Sequence, residues 1–597
     1  MENDSTFVAP EGVYSATEDH KPLAPTHVSP PPIYPTRIAS VSVRFPAKQS
    51  VPGLGQLLGG SKDFWKDRPQ QHQHQHQPAS HPPLPVQDGV SVSSSETPDD
   101  GTSPDNPVPH SPQDLPHADH ARSLFSSSPS SHGPSPKRRS ARPKHNMRTT
   151  SSSFVTRIHG ADGLARTLAS KHGDVTYLFY TSAKNFYWSE AGVKAKEPLA
   201  RIAFSAYPTC HDVNQATASH EHLDIIVGFQ TGDLVWFDPV SLRYARINKQ
   251  GRISSSPCTA VRWVPDSAHL FLVAHADGCI IVYDKDRDDG AFVPSAPTAP
   301  ESTGEWNPLD SMFVTMPPWH HGHDGAAAAS GREKDRDKEK AAKNPVSHWR
   351  VSQRAIVDFV FSPDVKYVAA IAEDGCLRVI DALAEQLMDC YAAYFGALTC
   401  VAWSPDGRFI ITGGQDDLVN IFSPWEGRVI ARCQGHSSFV SAVAFDDVRC
   451  DGRTYRFGSV GEDNKLLLWD FSSGILHRPK LQTSHHQRVS MSSTLSLALR
   501  RREGAADRST LHLVPEGPLP KYHPAPSRNE VAVVQPVLVK QLESEQLLYA
   551  IAFLPRYLIT AAKTGHVRLW VRPLVAHPRA RSGATPRSAN ADAEDVG

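Results

Sequence analysis

Gly435-His-Ser-Ser-Phe-Val-Ser-Ala-Val-Ala-Phe445, a polar gap, and then Phe457-Gly-Ser-Val-Gly-Glu-Asp-Asn-Lys-Leu-Leu-Leu-Trp-Asp470 form the stretch on which the reading of this 597-residue chain turns. Val440, Ala442 and Ala444 with their neighbours read as a short apolar strand. A polar hairpin follows, then a second strand from Phe457 to Val460. Glu462-Asp463-Asn464 is a turn built of residue types that tolerate left-handed backbone angles. Leu466, Leu467, Leu468 and Trp469 make a third strand.

The pattern recurs. Thr231-Gly232 leads to Phe237, Asp277-Gly278 to Tyr283, Asp374-Gly375 to Ile380, Asp416-Asp417 to Phe422, Asp463-Asn464 to Trp469 and Thr564-Gly565 to Trp570. In each, a large apolar residue lies six positions after the start of the turn, and Ser182 to Trp188 keeps the same offset. A second landmark repeats in register. Trp263-Val-Pro265-Asp266, Phe361-Ser-Pro363-Asp364, Trp403-Ser-Pro405-Asp406 and Phe553-Leu-Pro555 each end an apolar strand, where Pro with Asp or Gly stops a strand and opens a turn. Two independent landmarks in one register predict an all-β fold, a seven-bladed β-propeller. Gly-His at the start of a blade and Trp-Asp at its end are the WD40 signature.

The signature has a mechanical reason. His436, Ser459, Asp463 and Trp469 are placed to form a relay in which the indole N–H donates to Ser, Ser to His, and His to the turn carboxylate. Buried Trp and His need partners for their N–H groups, so such a structural tetrad fixes how the strands stack. Elsewhere a His-Ser-Asp set suggests a hydrolase. Here the residues fall on successive strands and turns of one repeat, which assigns them to structure.

The chain is too long for one ordinary domain, and its formal charge of −1 gives no overall basic balance of the kind nucleic-acid binding uses. No apolar run approaches the roughly 20 residues of a bilayer span, and no basic-then-apolar leader opens the sequence. The eight cysteines are scattered without a Cys-x-x-Cys pair. Cys258, Cys279, Cys376 and Cys400 lie in or beside strand patterns, so they read as reduced, buried residues of an intracellular protein. No cofactor or metal site is expected. The chain also lacks a P-loop, a Gly-x-Ser-x-Gly elbow and a His-Glu-x-x-His motif.

Residues 1–150, rich in Pro, Ser, Gln and His, read as a disordered tail that buries too little to offset its ordering entropy. His72, His74 and His76 have ligand chemistry for a metal, but their alternation with Gln reads as a polar low-complexity tract. Lys137-Arg-Arg-Ser-Ala-Arg-Pro-Lys144 is a basic run, either a solvated tail segment or a nuclear-import or nucleic-acid patch. The cytoplasm is therefore expected, and the nucleus too if import factors read that run. Order begins near Ser153. Phe154–Ile158, Leu164–Leu168, Thr176–Tyr180 and Phe186–Trp188 are strand candidates, and the first is expected to complete the last blade, where residues 548–571 supply only three strands. Residues 285–348 and 475–545 read as disordered insertions that leave the ring between blades, the second regaining a strand near its end. Residues 576–597 read as a disordered C-terminal tail.

The ordered part, roughly residues 150–575, resembles the CreC-type WD40 proteins of filamentous fungi, whose metazoan relatives are WD40 cofactors of ubiquitin-specific proteases. The resemblance is carried by Val261-Arg-Trp-Val-Pro-Asp266, Leu270-Phe-Leu-Val-Ala-His-Ala-Asp-Gly278, Tyr394-Phe-Gly-Ala-Leu-Thr-Cys-Val-Ala-Trp-Ser-Pro-Asp-Gly407, Thr412-Gly-Gly-Gln-Asp-Asp-Leu-Val419 and Phe457-Gly-Ser-Val-Gly-Glu-Asp463. It implies a non-catalytic partner that stabilises or activates a ubiquitin-specific protease (a CreB-type deubiquitinase), in a network that tunes carbon catabolite repression. The alternative is a general WD40 adaptor or a reader of phosphopeptide, chromatin or nucleic acid. Nucleic acid is disfavoured, because the one dense basic run lies outside the ring.

A propeller presents its loops as a rigid face, and exposed aromatics anchor protein interfaces. Phe395 and Phe439 each stand just before the first strand of a blade. They are the candidate partner-binding residues, with inward packing as the alternative.

Overall fold

The computed structural model describes residues 5–21, 34–47, 145–146, 154–193, 197–294, 308–319, 342–472, 474, 520–542 and 547–573. They form seven sheets, each a blade built on antiparallel strands. The inner strands, in ring order, are Ile38–Phe45, Pro208–Val213, Cys258–Trp263, Ile356–Phe361, Leu398–Trp403, Val440–Phe445 and Leu548–Phe553, and blades 1 to 7 are numbered from them.

All seven repeated turns join the second strand of a blade to its third. The residue after the start of each turn has a positive φ: Ala183, Gly232, Gly278, Gly375, Asp417, Asn464 and Gly565. Gly, Asn and Asp recur there because they accept that conformation most easily. The apolar residue reached by each turn (Trp188, Phe237, Tyr283, Ile380, Phe422, Trp469 or Trp570) is at most 1% exposed. The six-residue offset therefore carries the third strand's large side chain into the sheet-on-sheet core, where each such burial contributes about 2–3 kcal/mol. The Pro-containing landmarks close the inner strands of blades 3, 4, 5 and 7, which end at Trp263, Phe361, Trp403 and Phe553.

Ring closure differs from the expectation. The fourth strand of blade 7 is Gly12–His20, antiparallel to Val567–Val571 with Ser15 opposite Val571, and Thr6–Ala9 adds a fifth. Ile38–Phe45 then enters as the inner strand of blade 1, pairing with Gly173–Ser182. Val155–Gly160, expected in the last blade, lies on the outer edge of blade 1 against Ala200–Phe204. A disordered tail over residues 1–150 is thus corrected at three stretches that belong to the ring, the third being His145–Asn146, antiparallel to Arg243–Ile247 on the outer edge of blade 2. Tyr14 is fully buried, stacks on Phe7 at 4.7 Å and donates to Glu11 at 2.6 Å. Glu11 in turn pairs with Arg456 of blade 6 at 2.7 Å. Most of the remaining Pro/Ser-rich sequence, including His72, His74, His76 and Lys137–Lys144, lies outside the described residues, as do residues 576–597. Its greater part follows the inner strand of blade 1 in the chain rather than preceding the ring.

Leu164–Ala169, expected as a strand, is a short helix. Gly163 turns the chain into it at φ 71°, and the only apolar anchors of Leu164-Ala-Arg-Thr-Leu168 are four apart, a helical spacing.

Both insertions leave from inside a blade, not between blades. The first separates the third strand of blade 3, Cys279–Asp284, from its outer strand, Ser347–Arg350, and Phe313–Thr315 adds a further strand there. The second separates Lys465–Ser472 of blade 6 from its outer strand, Pro536–Gln541. On its return it runs Lys521–His523 parallel to the outer strand of blade 4 and Ala532–Val534 parallel to that of blade 5. One stretch of chain thereby stitches the rims of three blades. Described parts of both insertions are ordered because outer blade edges offer unpaired backbone groups that a returning segment satisfies.

Candidate functional site

Antiparallel strands put the turns between second and third strands on the same face as the loops that link one blade to the next. Phe395 and Phe439 stand on two of these linking loops. Phe395 is 73% exposed and Phe439 42%, so neither packs inward.

Their backbones are held from below. The Ala397 amide donates to Gln415 Oε1 and the Gln415 amide to the Ala397 carbonyl, both at 3.0 Å, while Ala393 N–H reaches the Gly375 carbonyl at 2.8 Å. Gly396 turns the loop at φ 66°, where a Cβ would come within 2.9 Å of Gln415. The two aromatics do not share a register. Phe439 immediately precedes Val440, whereas Phe395 stands three residues before Leu398. The register equivalent of Phe439 in blade 7 is Leu547, 36% exposed, just before Leu548. Aligning the inner strands rather than the turns would have found it.

The four relay residues lie under Phe439. Trp469 Nε1 donates to Ser459 Oγ at 2.8 Å, Ser459 Oγ lies 2.7 Å from His436 Nε2, and His436 Nδ1 lies 3.0 Å from Asp463. The Asp463 carboxylate also accepts the Ser437 amide at 2.9 Å, and the Phe439 carbonyl accepts the Glu462 amide at 2.9 Å. Burial opposes charge on Asp463. The His436 hydrogen bond and the Ser437 and Lys465 amides outweigh it and bring the carboxyl down to about 2. A Cβ on Gly461 would meet His436 Nδ1 and the Phe439 carbonyl at 2.9 Å, so the relay and the loop close on a residue without a side chain. A core hydrogen-bond chain therefore sets the height and angle at which Phe439 is presented.

A family model described as "WD domain, G-beta repeat" matches residues 387–423, from the outer strand of blade 4 through three strands of blade 5. The chain is also 36% identical over 433 residues to UBP9-binding protein bun62 of Schizosaccharomyces pombe, a match covering 70% of this chain and 75% of that protein. The chain belongs to the WD40-repeat family. Among the described residues the complete WD40 relay stands in blade 6, while blade 7 keeps only its last link, Trp570 Nε1 to Thr560 Oγ1 at 3.0 Å.

A second polar cluster, on the opposite face of this WD40 ring, is structural. His222 lies between Asp224 at 3.1 Å and Asp238 at 3.0 Å, and these two carboxylates, Asp224 first, raise its pKa to about 9. Ser241 donates to Asp238 rather than to His222, so no hydroxyl is activated there. His269, Asp284 and Asp286 are close enough to share an ion, but Asp284 is paired with Arg287 at 3.1 Å and His269 with Asp286 at 2.6 Å. All eight cysteines are free, seven of them buried. Among the described residues no helix is long and apolar enough to cross a membrane.

Proposed function

We propose that this chain is a non-catalytic WD40 scaffold that binds a ubiquitin-specific protease and stabilises or activates it, and that it does so inside the cell. The carrying observation is its 36% identity, across most of both chains, to a protein named for binding UBP9. The geometry supplies a surface suited to such binding, with Phe395 and Phe439 exposed on loops whose backbones are pinned from the core. Aromatic anchors of this kind dominate interface energies, and a rigid loop limits the entropy lost on binding. The resemblance to CreC-type proteins extends the proposal to the control of carbon source utilisation.

The test is a pull-down of the co-expressed ubiquitin-specific protease, paired with hydrolysis of a fluorogenic ubiquitin substrate. The purified chain alone cleaves nothing, and adding it raises the protease's turnover. Phe395→Ala with Phe439→Ala weakens binding by about 30-fold or more, as expected for loss of a hot spot worth about 2 kcal/mol, with melting nearly unchanged. Binding as tight as that of the parent would refute this surface. Ubiquitin cleavage by the pure chain would refute the scaffold.

A further inference from the structure

The face opposite Phe395 and Phe439 carries a cleft of about 390 Å³ between blades 4 and 5. The turns after their inner strands form its floor and one wall, and the Ser423–Arg428 hairpin of blade 5 forms the other. That hairpin lifts Trp425 into solvent, 79% exposed, the most exposed tryptophan among the described residues. Trp403 and Tyr367 line the cleft beneath it, alongside prolines from three turns. Tryptophan placed this way is unusual, because its large apolar surface is normally covered.

The charged residues that line the cleft are all acidic. Asp364, Asp389 and Asp406 line it, and among the described residues no Lys, Arg or His does. Asp364 accepts from Ser362 at 2.6 Å, Asp389 faces His523 at 2.7 Å, and Asp406 accepts from Ser404 at 2.7 Å and from Tyr455 at 2.5 Å. Lys366, next to Tyr367 in the chain, holds its amine 5.0 Å from the centroid of that ring. Flat aromatic walls suit a polyproline II segment, whose rings stack without giving up internal hydrogen bonds. Carboxylates beside indole faces suit a guanidinium, which stacks on the ring and forks to the acid at once.

We infer that this cleft is a docking site for an extended segment of a partner protein that carries proline and arginine, separate from the protease-binding face. The prolines stack on Trp425 and Trp403, and the arginine reaches Asp364 or Asp389. Because the two surfaces open on opposite faces, both partners can be held together, so the ring bridges a second protein to the first.

The test uses the full chain and two synthetic peptides, one repeating Pro-Pro-Arg and a control repeating Pro-Pro-Glu, followed by calorimetry and by tryptophan fluorescence. The arginine peptide binds at least about tenfold more tightly than the control, with an affinity that falls as salt rises. Trp425→Ala weakens it by about tenfold or more at unchanged melting temperature, and Asp364→Asn with Asp389→Asn removes the preference over the control. Equal binding of both peptides, or equal binding by Trp425→Ala, overturns the inference. Binding that appears only once residues 475–519 are replaced by a short linker also overturns it, since the occupant would then be the chain's own insertion.

Discussion

Replacing Tyr14 by Ala tests whether the extreme N-terminal stretch closes the ring. Tyr14 is fully buried, stacked on Phe7, and Phe7 in turn meets Trp570 edge-on at 5.2 Å. Removing a buried aromatic side chain costs about 3–5 kcal/mol. The lost hydroxyl also leaves Glu11 with one donor fewer, which adds about 1 kcal/mol, although Glu11 keeps Arg456. A sum of roughly 4–6 kcal/mol is a large part of the 5–15 kcal/mol that typically separates folded from unfolded domains. At about 2–4 °C per kcal/mol for larger domains, melting falls by on the order of 10 °C. Tyr14→Phe keeps the ring contacts and loses only the hydrogen bond, so its melting falls by a few degrees at most. Scanning calorimetry of the full chain with each variant decides the matter. If Tyr14→Ala melts within about 1 °C of the parent, residues 6–20 do not supply the fourth strand of blade 7, and the ring closes by another segment.

Two pH predictions follow from groups tied into the ring. Asp463 is held at about 2, below its ordinary 3.8, so its contribution is complete above 3.8 and is lost as pH falls through 2. The urea midpoint of Asp463→Asn therefore lies below that of the parent at pH 5 by the equivalent of about 2 kcal/mol, and the gap closes as pH approaches 2. His222 is raised to about 9 from 6.5 by Asp224 and Asp238, so its stabilisation is complete below 6.5 and lost as pH rises through 9. Because its side chain is 39% exposed, solvent screens much of the effect. His222→Gln should flatten the fall in melting temperature between pH 6.5 and 9, and an imidazole resonance titrating near 6.5 would contradict the assignment.

The blades were legible because each repeat writes its own register. A turn residue that accepts positive φ and an apolar residue six positions later recur whatever lies between, so Ser182 to Trp188 could be aligned with Asp463 to Trp469 despite sharing no tetrad. The relay residues were legible for the same reason, since His436, Ser459, Asp463 and Trp469 all lie within one blade. The N-terminal strands were missed because composition averaged over residues 1–150 hides Thr6–His20 and Ile38–Phe45, short stretches within a Pro- and Ser-rich background. Trp425 was missed because exposure is not a property of a residue type, and a tryptophan after a Pro in a turn reads like any strand-end hydrophobe.

The amino-acid sequence by itself determined the seven sheets, their turns and the relay inside blade 6. These depend on contacts between residues close along the chain, which periodicity records. Only the tertiary structure decided which segment closes the circle, where the insertions leave it, and which aromatics face water. Residues hundreds of positions apart settle those, as when Tyr14 and Glu11 meet Trp570's blade and Arg456. No local pattern encodes such a pairing. It is set by which unpaired strand edge remains when the other six blades have closed.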